Sequence, residues 1–130
     1  MVRAQLSIEF LILLAAFLAF LILWVPLVFG VRQAGEDVLA REYAKLALAD
    51  IKNAAEDVCV LGKNNARGVN VNLKGEWKVT TSENEIKIGN GATVFNEKTR
   101  CALERAEFGL SGREIVVIKN DGEFVSMRLA

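Results

Sequence analysis

Hydrophobic and polar positions follow three regimes along the chain. Residues 10–29 read Phe-Leu-Ile-Leu-Leu-Ala-Ala-Phe-Leu-Ala-Phe-Leu-Ile-Leu-Trp-Val-Pro-Leu-Val-Phe, with no charged side chain and no polar group except the Trp24 indole. Twenty helical residues at about 1.5 Å rise each span roughly 30 Å, the thickness of a bilayer core. The run is apolar all round, so it is not the one-sided stripe of a surface helix. It predicts a helix covered by lipid or by an equally apolar bundle.

From about Val31 to Leu61 the pattern becomes amphipathic with helical period. Leu39, Tyr43, Leu46, Ala47, Ile51, Ala54, Val58 and Leu61 recur at steps of three and four, the spacing of one helix face. Arg41, Glu42, Lys45, Asp50, Lys52, Glu56 and Asp57 fill most of the remaining circumference. Gly62 is a stop signal. One helix from Gln5 to about Leu61 is therefore expected, its first half lipid-like and its second half offering one stripe to a packing partner.

Beyond Gly62 short alternating runs predict strands. Val69, Val71 and Leu73 alternate with Asn70 and Asn72; Trp77 and Val79 alternate with Glu76, Lys78 and Thr80; Ile86 and Ile88 flank Lys87. Asn90-Gly91 signals a hairpin, since both positions tolerate the positive φ of a type I′ turn. Asn120-Asp121-Gly122 predicts a turn joining Arg113–Lys119 to Glu123–Leu129. Five or six antiparallel strands are expected, with residues 97–110 open between strand and irregular connection. A head of this size gains a second layer by laying the helix stripe on the sheet, which is the α+β arrangement. If Ile115 and Val117 point inward, Val116 and Ile118 form an outward apolar face suited to a subunit contact; burial of this strand on both faces by loops is the equal alternative.

Composition narrows the chemistry. The 130 residues hold 16 Lys+Arg against 16 Asp+Glu and no histidine. Zero net charge removes the long-range field on which most nucleic-acid binders rely, so no nucleic-acid partner is expected. Absence of histidine removes the commonest metal ligand and the commonest base near neutral pH. Two cysteines cannot complete a four-ligand zinc site. No phosphate-binding glycine loop or dinucleotide fingerprint occurs. Glu104/Glu107 and Glu83/Glu85 read as solvated surface carboxylates, and Asp121 with Glu123 lacks the spacing of an EF-hand loop. No catalytic residue, cofactor or metal is expected.

The residues preceding the apolar run are Arg3-Ala4-Gln5-Leu6-Ser7-Ile8-Glu9. A secretory signal peptide would need a shorter apolar region and a small-residue cut site after it; neither is present. The segment resembles instead the class III signal peptide of archaeal type IV pilins, in which Gln-x-Ser-x-Glu opens the mature chain just ahead of a hydrophobic segment. The resemblance covers about residues 1–30. The departures are a leader of only four residues and Ala4 where bacterial prepilins commonly have glycine. It implies a leader of residues 1–4, a cut between Ala4 and Gln5 by a prepilin peptidase, a membrane or filament-core helix over 5–30, its amphipathic continuation over 31–62 and a β head over 63–130. It also implies a structural subunit of a surface filament, assembled from copies of itself by an ATPase and a membrane platform. Adhesion or surface attachment is the role so implied, and the protein would pass from the cytoplasmic membrane to the cell surface. A single-pass anchored extracytoplasmic binding module, and a minor pilin or pseudopilin priming a short fibre, are the competing readings.

Several residues acquire candidate roles. Glu9 either sits at the headgroups, where ionisation costs little, or pairs with the freed ammonium of Gln5 in a neighbouring subunit. Two unit charges about 4 Å apart attract by roughly 4 kcal/mol at an effective dielectric near 20, enough to select one axial register. Pro26, which lies where many bacterial pilins carry proline, disrupts a helix locally, and Gly30 and Gly35 weaken it further. The segment is either a membrane helix that tolerates proline or one that kinks or melts during packing. Cys59 and Cys101 are either two buried free thiols or one bridge, the bridge being favoured if the head is extracytoplasmic.

Overall fold

A computed structural model describes the backbone from Val2 and the side chains from Ser7 onward. The order of elements is α1 (Val2–Leu61), β1 (Ala66–Gly89), β2 (Val94–Asn120) and β3 (Val125–Leu129). This is an α+β fold: one long helix and a three-stranded antiparallel sheet in the order β1-β2-β3. The chain divides into two compact units, one ending at Val38 and the other covering Leu39–Ala130.

The helix ends where the glycine directs it to. Gly62 takes φ 86°, its N–H donates to the Cys59 carbonyl at 3.3 Å, and the Asn65 amide donates to the Leu61 carbonyl at 2.8 Å. A left-handed residue just past a helix satisfies its last carbonyls in this way, at no steric cost to glycine. A further orphan carbonyl, that of Val58, accepts from the buried Asn120 amide at 3.2 Å. The helix end and the close of β2 are thus joined by a buried hydrogen bond.

Within Leu39–Ala130 the core is one cluster between the helix and the inward face of the sheet. Ala44, Ala47, Leu48, Ile51, Ala54, Ala55 and Val58 are its helical side. The expected stripe is thus half right. Ala47, Ile51, Ala54 and Val58 are buried, whereas Leu39, Tyr43, Leu46 and Leu61 are exposed. The physical reason is that the sheet covers only one face of the helix, and that face carries Leu48, Ile51 and Val58 together with the alanines.

Among the described residues the strands number three, not five or six, because β1 and β2 continue through irregularities where breaks were expected. β1 and β2 form one long hairpin ribbon from the Ala66↔Lys119 pair to the Gly89↔Val94 pair. Lys74 and Gly75 bulge out between the Leu73↔Gly112 and Glu76↔Ser111 pairs, with φ 83° at Gly75 and φ 68° at Gly112. Bulges of this kind bend a strand without ending it. The Trp77 indole N–H donates to the Lys74 carbonyl at 2.8 Å and braces the first bulge. A second irregularity lies around Glu83, φ 39°, where β2 carries the extra residues. There the inward positions change parity, from Val69, Val71, Leu73, Trp77, Val79 and Thr81 to Ile86 and Ile88. A one-residue shift exchanges the faces of a strand, so the bulge keeps the isoleucines inside. Residues 97–110, left open between strand and connection, are part of β2.

Both expected turns are present, one with different geometry. At Asn90-Gly91 only the glycine has positive φ, 86°. The loop is an Asx-type turn: the Asn90 side-chain oxygen accepts from the N–H groups of Ala92 and Thr93 at 3.2 and 2.9 Å. This corrects the type I′ expectation, since asparagine's own side chain supplies the closure. At the second turn Gly122, φ 108°, donates to the Asn120 side chain at 2.8 Å. β3 then starts at Val125 and pairs back on β2, from Asn120↔Val125 to Val116↔Leu129.

The outward placement of Val116 and Ile118 is overturned. Val116 stands opposite Val69, and directly paired residues in an antiparallel ladder share a face, so both are buried. Ile118 is also buried, Val117 is half-buried and Ile115 is exposed.

Candidate functional site

Every side chain from Ser7 to Leu39 is exposed. This stretch contains the whole apolar run, including Phe10, Phe17, Phe20, Trp24 and Phe29, with the Phe20 and Trp24 rings 5.4 Å apart between centroids. The helix is long and apolar enough to cross a membrane. Soluble domains rarely leave apolar surface of this extent in water, so lipid or protein must cover it.

Glu9 is exposed on α1 immediately before this run. Ala4 and Gln5, the residues of the expected cut, lie outside the residues whose side chains are described. α1 is helical on both sides of Pro26. Gly30 and Gly35 have nothing within 4 Å of where a side chain would start, so neither is small because of packing inside this chain. Arg32 and Glu36 form an exposed ion pair at 3.3 Å one turn apart. Pairs of this kind contribute only a few tenths of a kcal/mol.

In the Leu39–Ala130 unit, Cys59 and Cys101 form a disulfide with their Cα atoms 6.2 Å apart, within the range a bridge requires. It joins the last turn of α1 to the part of β2 where the chain carries extra residues beside Glu83 and Glu85. In the same irregular stretch of β2, the fully buried Thr81 hydroxyl donates to the Glu104 carbonyl at 2.6 Å and accepts from the Ala106 N–H at 2.9 Å. Bridge and threonine together hold an irregular stretch of β2 that regular pairing does not satisfy. The sequence contained the cysteines but no signal for Thr81, whose importance comes only from a bulge placing two backbone groups beside it.

The surface chemistry of the head is sparse. Asp121 lies below the usual carboxylate range because Lys119 and Ser126 donate to it, Lys119 at 2.9 Å and Ser126 at 3.1 Å. Glu85 is lowered chiefly by the Asn96 amide at 2.7 Å, with Lys87 beside it. Asp121 lies in a turn and Glu85 in a strand, and the lowering of each is accounted for by these hydrogen-bonded neighbours. An open depression on the outer sheet face is lined by Asn70, Asn72, Arg113, Glu114, Ile115 and Ala130. Among the described residues, no group of three or more His, Cys, Asp or Glu could hold a metal ion.

Comparison with known families, curated proteins and solved structures returns no match. The class defined by the structure is therefore architectural: an α+β protein with a disulfide-bonded head and an apolar helix capable of spanning a bilayer. The most extensive exposed apolar surface among the described residues is on the helix, from Phe10 to Phe29.

Proposed function

We propose that this chain is a structural subunit of an archaeal type IV pilus-like filament. It is inserted in the membrane as a precursor, cut between Ala4 and Gln5 by a prepilin peptidase, and assembled through its N-terminal helix by an ATPase and a membrane platform. The observation that carries the reading is the pairing of Gln5-x-Ser7-x-Glu9 with an exposed run of twenty apolar residues directly after it. A helix of that composition is stable in lipid before assembly and among copies of itself afterwards. Glu9 pairs with the new ammonium of Gln5 in a neighbour, because a carboxylate moved out of the headgroups into a helical core is costly unless partnered. Pro26, Gly30 and Gly35 form a weak stretch that yields as subunits pack. The head coats the fibre and serves adhesion or surface attachment.

Three measurements test this. The mass of the exported protein is expected to begin at Gln5; retention of Met1 or Val2 argues for the single-pass anchored module instead. Glu9→Ala is expected to insert in the membrane and form its disulfide but yield no filaments. Filaments at the wild-type level from that variant would remove the register role of Glu9. Exported, trimmed protein that stays monomeric beside its native machinery would overturn the proposal as a whole.

A further inference from the structure

The chain contains one Asn-Gly pair, Asn90-Gly91, and one Asp-Gly pair, Asp121-Gly122, each in a turn with the glycine at positive φ. In both, a glycine nitrogen follows a side-chain carbonyl carbon at the spacing of a five-membered ring. With no Cβ in the way, that nitrogen can add to the carbon and expel ammonia from asparagine or water from aspartic acid. The structure separates the two pairs.

At Asp121 both reacting groups are engaged elsewhere. The Gly122 N–H donates to the Asn120 side chain at 2.8 Å. The Asp121 carboxyl accepts from Lys119 and Ser126 and is held below the usual carboxylate range. Ring closure there needs the neutral acid, which these donors disfavour.

At Asn90 the arrangement is reversed. The bonds that close the turn use the N–H groups of Asn90, Ala92 and Thr93, and that of Gly91 is not among them. Those of Ala92 and Thr93 donate to the Asn90 side-chain oxygen at 3.2 and 2.9 Å. Donors on that oxygen stabilise the negative charge it takes as a nitrogen adds to Cγ, in the manner of an oxyanion hole. Elsewhere it is the amide nitrogen that is held: those of Asn65, Asn96 and Asn120 donate to the Leu61 carbonyl, the Glu85 carboxylate and the Val58 carbonyl. Asn90 is exposed, and nothing lies within 4 Å of where a Gly91 side chain would start. The pair lines an open depression with Glu76, Lys78 and Ser111, so water reaches it.

We infer that Asn90-Gly91 is a self-modification site of the folded head, at which Asn90 converts to aspartate and isoaspartate through a succinimide. The Gly91 nitrogen gives its proton to hydroxide and bonds to Cγ of Asn90. The Cγ–Nδ2 bond breaks, and Nδ2 takes a proton from water and leaves as ammonia. One water then opens the ring. Cleavage of the new Cγ–N bond leaves aspartate; cleavage of the original peptide bond leaves isoaspartate, with the main chain running through Cγ. Either product replaces a neutral amide by a carboxylate and lowers the formal net charge, zero in the sequence, by one. Aspartate keeps an oxygen for the Ala92 and Thr93 N–H groups, whereas isoaspartate lengthens the turn that joins β1 to β2. The site does not depend on the filament reading.

The test incubates the full chain, folded in detergent with its Cys59–Cys101 bridge intact, in mildly alkaline buffer and follows it by peptide mapping. The amide-to-acid mass gain is expected at residue 90 at least about tenfold faster than at any other asparagine, because only there does glycine follow. Both isomers should form, Asp121 should yield no isoaspartate, and isoelectric focusing should show an acidic shift of one charge. Asn90→Asp should start at the acidic position and shift no further. Aspartate without isoaspartate would mean direct hydrolysis and overturn the ring route. Conversion spread evenly over the asparagines, or a further equal shift in Asn90→Asp, would refute the site. So would an Asn90 that stays intact in the folded protein while the urea-unfolded chain converts.

Discussion

Removing the Cys59–Cys101 bridge should destabilise the head by an amount that can be worked from its position. The cysteines are 42 residues apart, and the enclosed segment contains β1, the first hairpin turn and part of β2. In the chain-entropy model a loop of that size stabilises by about 4 kcal/mol, through restriction of the unfolded chain. For a unit the size of residues 39–130, each kcal/mol shifts Tm by roughly 4–8 °C, so the expected fall is about 15–30 °C. Cys59→Ala/Cys101→Ala is the appropriate variant, because serine at the buried Cys101 position would add a hydroxyl needing its own partner. Thermal unfolding of the full chain in detergent, followed by near-ultraviolet circular dichroism of the buried Trp77, provides the readout. Reduction of the wild-type protein should reproduce the variant's Tm. A fall below about 5 °C in both would refute the reasoning, and would mean that the helix–sheet core alone holds the irregular part of β2.

Three further outcomes follow from the head. Thr81→Val keeps the shape but leaves the Glu104 carbonyl and Ala106 N–H without the hydroxyl, so denaturant unfolding should show a loss of about 2–3 kcal/mol, and Thr81→Ser a smaller one. Ile51→Ala empties a fully buried position between helix and sheet and should cost about 2–5 kcal/mol, whereas Leu46→Ala, at an exposed helix position, should change monomer stability by under about 0.5 kcal/mol. The Asp121 carboxyl is held below its unfolded value by donation from Lys119 and then Ser126. Its contribution is therefore complete above an unfolded pKa of about 3.9 and fades as pH falls through the lower folded value. Asp121→Asn should flatten the stability curve on that acid limb, while stability at neutral pH falls slightly.

The sequence alone determined the membrane-length helix, its stop at Gly62, both turns, the α+β class and most inward strand positions. Each of these depends on local rules: an uninterrupted apolar run, a glycine free to take positive φ, turn residues between apolar runs, alternation at period two. These rules act over a few residues, so they are readable one segment at a time. The register of Val116 and Ile118, the continuity of β1 and β2 and the role of Thr81 were decided by the tertiary structure. A bulge changes which parity faces inward, and only the opposite strand shows where it falls. The choice of helix face was also tertiary. Leu39, Tyr43 and Leu46 recur at the same helical spacing as core positions, but the sheet covers only one face of the helix. Which face it covers depends on strands far along the chain, so no pattern local to the helix carries it.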